Sequence, residues 1–247
     1  MMRLLRGWER KYSPGAVGGL RLSKAKTYRG IGEEDGFGDA REGEMTVEAP
    51  AAIESSANGG LDIPVTVSVG PNRDTPAMVA ENLRPGERRE VMHRLGVDDS
   101  RTESPFRFCL SREPADEAEW LTLRDALPDR YDAWTVTTDL AALSFEIECG
   151  IKRWLSLNEL TEHRLTKTRR WVSYPFDDFP PSVEPGKLGD ELSARWFRKR
   201  RQYQQQQEYR FAWLLTTPQW QSLPDYIDIE LTRSGLSLFE PWSPPAG

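Results

Sequence analysis

Leu61, Ile63, Val65, Val67 and Val69 alternate with polar or small residues at a strict period of two. Only an extended strand puts such a set on one side, and that side must be covered. The chain therefore has to build a sheet with something packed against it. Pro64 has no amide hydrogen, which places this strand at an edge or the proline at a non-bonded position. Other short runs carry the same signature: 106–110, the β-branched stretch 133–138, 171–174, the aromatic run 209–215 and 226–231. Leu20, Leu22 and Tyr28 suggest an earlier strand.

Helical signals are fewer. Leu140, Leu143, Ile147 and Ile151 recur at three-to-four spacing behind Asp139, a capping residue, which predicts a helix over 140–155 with one buried stripe. A short helix is expected over 117–127, another near 77–82, and a basic one over 190–207 with Leu192, Trp196 and Tyr203 on one side. Strands and helices that do not alternate regularly indicate an α+β fold: a mixed, largely antiparallel sheet with a few flanking helices and long irregular loops. The expected organisation is a frayed segment 1–19, one domain over 20–240 with an irregular insertion at 72–104, and a tail at 241–247. The glycines between Gly30 and Gly43 make a polar loop.

Composition excludes several functions. No stretch of the 247 residues approaches the roughly 20 apolar positions of a bilayer-crossing helix. No secretory leader is evident, so a cytoplasmic protein without a membrane partner is expected. Two cysteines, Cys109 and Cys149, and two histidines, His93 and His163, lack ligand spacing, so no metal is expected and the thiols are assigned to packing. A phosphate-binding loop, a nucleophile elbow and a dinucleotide fingerprint are all missing. Acids over 33–44 could supply oxygens to a nuclease metal, but no partner lysine accompanies them. The net charge of −6 argues against coating nucleic acid by bulk charge, yet the balance is uneven. Acids gather in the glycine-rich loop and bases just before Glu208.

Three polar clusters could carry chemistry. Arg29, after Tyr28 and before Gly30, could grip a phosphate or carboxylate with two hydrogen bonds, or simply pair with the acids that follow. Thr135 and Thr137 share one face of their strand, a pattern most often turned to solvent. Gln206 and Glu208 fall at a junction between the basic segment and an aromatic strand, where a rigidly held carboxylate could act on a ligand hydroxyl or close a solvated last turn.

Leu20-Arg-Leu-Ser, Tyr28-Arg, Asp39-Ala-Arg-Glu, Phe108-Cys-Leu-Ser, Tyr131-Asp-Ala-Trp and Glu208-Tyr-Arg-Phe follow one another along the chain. In that order they resemble an uncharacterised bacterial and phage-borne family with an early Asn-Asp-Pro-Phe-Glu-like motif and a late Glu-Tyr-Arg motif. Here the early motif keeps Asp39 and Glu42 but not the Asn, Pro or Phe. More distantly, the chain is similar to mono-ADP-ribosyltransferases of the Arg-Ser-Glu type. That resemblance implies NAD as cofactor, bound by Tyr28, Arg29, Thr135, Thr137 and Gln206. It implies Glu208 as the catalytic carboxylate supporting an oxocarbenium-like transition state on a macromolecular target. The alternative is a non-enzymatic interaction protein, phage or defence related. Its partner, a protein or nucleic acid, would be held by the basic aromatic segment through Arg198, Lys199, Arg200 and Arg201.

Overall fold

A computed structural model describes residues 2–24, 45–53, 61–69, 77–78, 105–160, 163–176, 194–217 and 223–245. The fold is α+β. In chain order the strands are β1 (Leu4–Trp8), β2 (Gly19–Lys24), β3 (Met45–Ile53), β4 (Leu61–Val69), β5 (Ala77–Met78), β6 (Phe106–Arg112) and β7 (Ala133–Thr137). After these come β8 (Arg164–Trp171), β9 (Ser173–Phe176), β10 (Arg198–Arg200), β11 (Glu208–Thr216), β12 (Tyr226–Glu230) and β13 (Glu240–Pro241). The helices are α1 (Pro14–Val17), α2 (Glu117–Asp125), α3 (Leu140–Leu157) and α4 (Arg233–Leu236), with 3-10 turns over Arg195–Phe197 and Arg201–Gln206.

Eight strands form the main sheet, and every pairing in it is antiparallel. β6 is its axis. One side of β6 is paired along its length by β11, which carries β8 at its outer edge. The other side forks: β2 pairs Phe106 and Arg107 and leads to β12, whereas β1 pairs Ser111 and Arg112 and leads to β7 and β13. Arg6 closes the gap between the branches, its Nη1 donating 2.5 Å to the Cys109 carbonyl where neither strand reaches.

Directly opposed residues share a face, so the register fixes what each face carries. One face holds Leu4, Trp8, Leu20, Leu22, Phe108, Leu110, Phe211, Trp213, Ile227 and Ile229, and α3 covers it with Leu143, Ile147, Ile151 and Leu155, all fully buried. Asp139 caps α3 as expected, accepting from the Ala141 and Ala142 amides at 3.1 and 2.9 Å. Gly150 allows this helix to approach closely, since a Cβ there would lie 2.9 Å from Ile229. The opposite face holds Leu5, Cys109, Ser111, Glu208, Arg210 and Ala212 by the same register. α2 covers part of it with Trp120 and Leu123, and the stretch from Trp196 to Gln206 covers the rest.

β4 follows the alternation that predicts it and pairs along its whole length with β3, Pro64 opposite Pro50. β5 pairs only Val67 and Ser68, so among the described residues Pro64 has a neighbour on one side alone. Several expectations are corrected. The segment 1–19 is not frayed: β1 sits between β6 and β7, because Leu4 and Leu5 each bury a side chain on an opposite face. Ala77 and Met78 are strand rather than helix, and the rest of 77–82 lies outside the described residues. Residues 195–206 form no continuous helix. Trp196, Lys199, Tyr203 and Gln206 are buried at the three-to-four spacing of a helical stripe, but Arg198 and Arg200 pair with β9, and this strand pairing overrides the helical spacing and leaves only a 3-10 turn on either side. The tail is docked in part, with Glu240 and Pro241 on β7 and the Trp242 ring 5.0 Å from Trp120.

Candidate functional site

Glu208 begins β11 and is buried. A carboxylate taken out of water must find cations, and two are in place. Arg210, two residues along the same strand and so on the same face, grips it from Nε and Nη2 at 2.9 and 3.0 Å. Lys199 Nζ lies 3.0 Å from Oε2 and donates 2.8 Å to Gln206 Oε1. The remaining valences are also occupied. Arg210 Nη1 donates to the Trp196 carbonyl at 2.6 Å, Gln206 Nε2 donates to the Ala126 carbonyl at 3.0 Å, and the Glu208 amide donates to the Tyr174 hydroxyl at 2.9 Å. Burial alone would push the Glu208 carboxyl upward, but Arg210 and Lys199, with hydrogen bonds from Arg210 and Cys109, hold it well below the usual range. The same burial, with the Glu208 charge beside it, pushes the Cys109 thiol up to about 12 and raises Tyr174 as well.

The space beside this network is small. A cavity of about 30 Å³ is bounded by Leu5, Ser111, Tyr131, Lys199, Gln206 and Glu208. That admits roughly two waters. Gly7 belongs to the same wall, where a Cβ would overlap the Tyr131 ring. A carboxylate so enclosed and so fully paired is suited to fixing the stretch from Trp196 to Gln206 on the sheet rather than to meeting a ribose.

Of the residues implied for NAD, the structure brings together Gln206 and Glu208, with Lys199 between them. It does not bring Thr135 and Thr137 to them. Those threonines oppose Arg6 and Leu4, on the α3 face, whereas Glu208 opposes Ser111 on the other. Three strand spacings, about 14 Å, also separate β7 from β11. Nor do the threonines face solvent: Thr135 Oγ1 accepts from Trp8 Nε1 at 2.9 Å, and Thr137 is buried with its Oγ1 unpaired among the described residues. Tyr28 and Arg29 lie outside the described residues. Of the basic partner set, Lys199 is inside the network, Arg198 and Arg200 are half-buried, and Arg201 is exposed.

What the sequence patterns missed is a second basic strand. Among the described residues β8 lies at the outer edge of the sheet, with Arg164, Lys167, Arg169 and Arg170 exposed, and Trp171 stands exposed at its end. Its threonines and cations leave no apolar alternation to find. β9 continues from it and pairs in parallel with β10, and the Arg170 guanidinium lies 4.7 Å from the Phe197 ring centroid. Residues 163–174 and 194–207 are thereby joined. Together they hold nine basic residues and no acidic one, in a chain of net charge −6. Glu148 pairs with this ridge at Lys167 and divides itself between Lys152 and Lys167 at 2.7 and 2.6 Å, while Glu208 takes Lys199.

A larger opening lies around the corner from the buried network. The cleft between α2 and the turn Arg201–Gln206 has a volume of about 450 Å³ and is lined by Arg112, Glu119, Leu123, Gln204, Gln205 and Gln207 among others. No group of His, Cys, Asp and Glu able to hold a metal occurs among the described residues, and no described helix is long and apolar enough to cross a membrane. No family model matches this chain, and no match is found among curated proteins or solved structures.

Proposed function

We propose that the protein is a cytoplasmic interaction protein of a bacterium, phage or mobile element that binds nucleic acid along the ridge formed by β8, β10 and the turn that follows β10. The supporting observation is the acid-free pair of segments 163–174 and 194–207, joined in space, on which Arg164, Lys167, Arg169, Arg170 and Arg201 are exposed and Arg198 and Arg200 half-buried. Clustered cations release counterions when phosphates replace them, which gives affinity without base contacts. An edge strand suits this use, because its exposed cations also discourage pairing with another sheet. Trp171 adds an aromatic face on which an unpaired base can stack, favouring a single strand over a duplex. The NAD-dependent transferase reading has no comparable support, since its threonines and Glu208 occupy opposite faces of the sheet.

Fluorescence anisotropy with a labelled short oligothymidylate at low salt tests this reading. Reversing Arg164, Arg169 and Arg201 to Glu together should weaken binding on the order of 100-fold. Reversing Lys11, exposed in the N-terminal turn, should change it far less than reversing Arg201 alone. Equal loss from either single reversal, or equal competition by polyglutamate, would assign the ridge to no specific strand or to an acidic protein instead.

A further inference from the structure

The run Gln204-Gln-Gln-Gln207 is divided by the geometry of its turn. In a 3-10 segment residues three apart eclipse one another. Tyr203 and Gln206 therefore face inward together, and both are buried. Arg201 and Gln204 share another edge and are exposed, as is Gln207 just beyond the turn. Gln206 spends its carboxamide on Lys199 and Ala126, as described above. Gln204, Gln205 and Gln207 make no side-chain hydrogen bond within the described structure, and all three line the same cleft. Gln207 is held there at φ 40° and ψ 57°, the left-handed region that non-glycine residues seldom adopt. Such strain concentrates at binding sites. The backbone fixes it: the Gln207 carbonyl accepts from Arg112 at 3.0 Å and its amide donates to Gln204 at 3.1 Å.

We infer that this cleft takes an adenine base from the single strand whose phosphates lie along the ridge. The inference rests on the phosphate-binding reading above. Arg201 supplies the continuity, because it belongs to the ridge and eclipses Gln204 at the cleft mouth. A carboxamide presents a donor and an acceptor side by side, the complement of the N6 amino group and N7 of adenine. Guanine offers two acceptors there and calls for a guanidinium, but the Arg112 Nη2 is committed to Glu119 Oε1 at 2.9 Å. Leu123 gives the ring an apolar surface, and a volume near 450 Å³ falls within the range of small-ligand sites. A purine is thus recognised by uncommitted amides while the backbone of the strand is held by cations.

The test compares oligothymidylate with the same strand carrying one central adenine, and oligouridylate with its single-adenine counterpart. Whichever backbone the protein binds, the single adenine should tighten binding about tenfold. The double substitution Gln204→Ala, Gln205→Ala should erase that gain and leave the all-pyrimidine strand unaffected, with an unchanged circular dichroism spectrum. Equal affinity for strands with and without adenine overturns the base site while the phosphate reading stands. Failure of every strand to bind at low salt overturns the phosphate reading itself.

Discussion

The two faces of the main sheet solve the same burial problem in opposite ways. Under α3 the covered face is aliphatic and aromatic, from Leu22 through Phe108 and Phe211 to Ile229. Under the stretch from Trp196 to Gln206 the covered face contains Arg107, Glu208 and Arg210, and Lys199 reaches down from the stretch itself, all four buried. The first face is stabilised by area removed from water, and tolerates changes in proportion to the volume lost. The second depends on each charge keeping its partners. Lys199 and Arg201 are two residues apart, yet one is sealed against a carboxylate and the other meets solvent. Charge in this chain therefore has two separate uses, and which one applies is decided by the local turn.

Breaking the charged face should have the largest effect. Glu208→Ala leaves Arg210 and Lys199 buried without their anion, and loss of one partner from such a group costs about 3–5 kcal/mol. Thermal or urea denaturation measures it, and a loss below that for an exposed substitution would mean the network is dispensable. Acid gives the same contrast without mutation. The folded Glu208 carboxyl lies well below its ordinary value of 4.5, so its contribution is complete above that pH and is lost as pH falls below it. A Glu208→Gln protein should lose less stability than wild type between neutral pH and pH ~3.

On the apolar face Ile147→Ala should cost about 3 kcal/mol, from the lost burial of three side-chain carbons and the cavity they leave under a fully buried side chain. That value should not change with pH, whereas the cost at Glu208 should. Asp139→Ala removes the two hydrogen bonds that cap α3 and should cost about 1 kcal/mol. The smallest effect is chemical. Cys109, whose thiol is pushed up to about 12, should resist alkylation in the native protein at mildly alkaline pH while the half-buried Cys149 reacts. Its neutral form is favoured by folding, so this contribution is complete below the ordinary thiol value of 9.0 and is lost as pH rises through that value toward 12. Equal labelling of both cysteines would contradict the enclosure described.

The apolar face was legible in the sequence, and the charged face was not. Leu143, Ile147 and Ile151 repeat at helical spacing, and the run 209–215 is dense in strand formers, so α3 and β11 follow from periodicity alone. β1 escaped because Arg6 and Gly7 interrupt its apolar residues, and Gly7 is required by the Tyr131 ring rather than by any local turn. β8 escaped because an edge strand packed on one side needs little apolar residue of its own. The burial of Glu208 had one local signal, Arg210 at strand spacing, but Lys199 reaches it through strand and 3-10 turns where the spacing of Trp196, Lys199, Tyr203 and Gln206 suggests a helix. Gln204 to Gln207 read as one polar run, and only the 3-10 geometry separates the committed amide from the three that line the cleft.

The most direct measurement is the salt dependence of binding to a short oligothymidylate, compared between wild type, Arg201→Gln and Lys199→Gln. A ridge meeting about 4–6 phosphates predicts a slope of log Kobs against log salt near −3 to −4, reduced by roughly 0.7 in Arg201→Gln with a smaller change in melting temperature than Lys199→Gln causes. Lys199→Gln should lower the melting temperature and leave the slope of the folded protein unchanged. A slope near zero, or one reduced equally by both substitutions, would contradict the division between sealed and exposed charge.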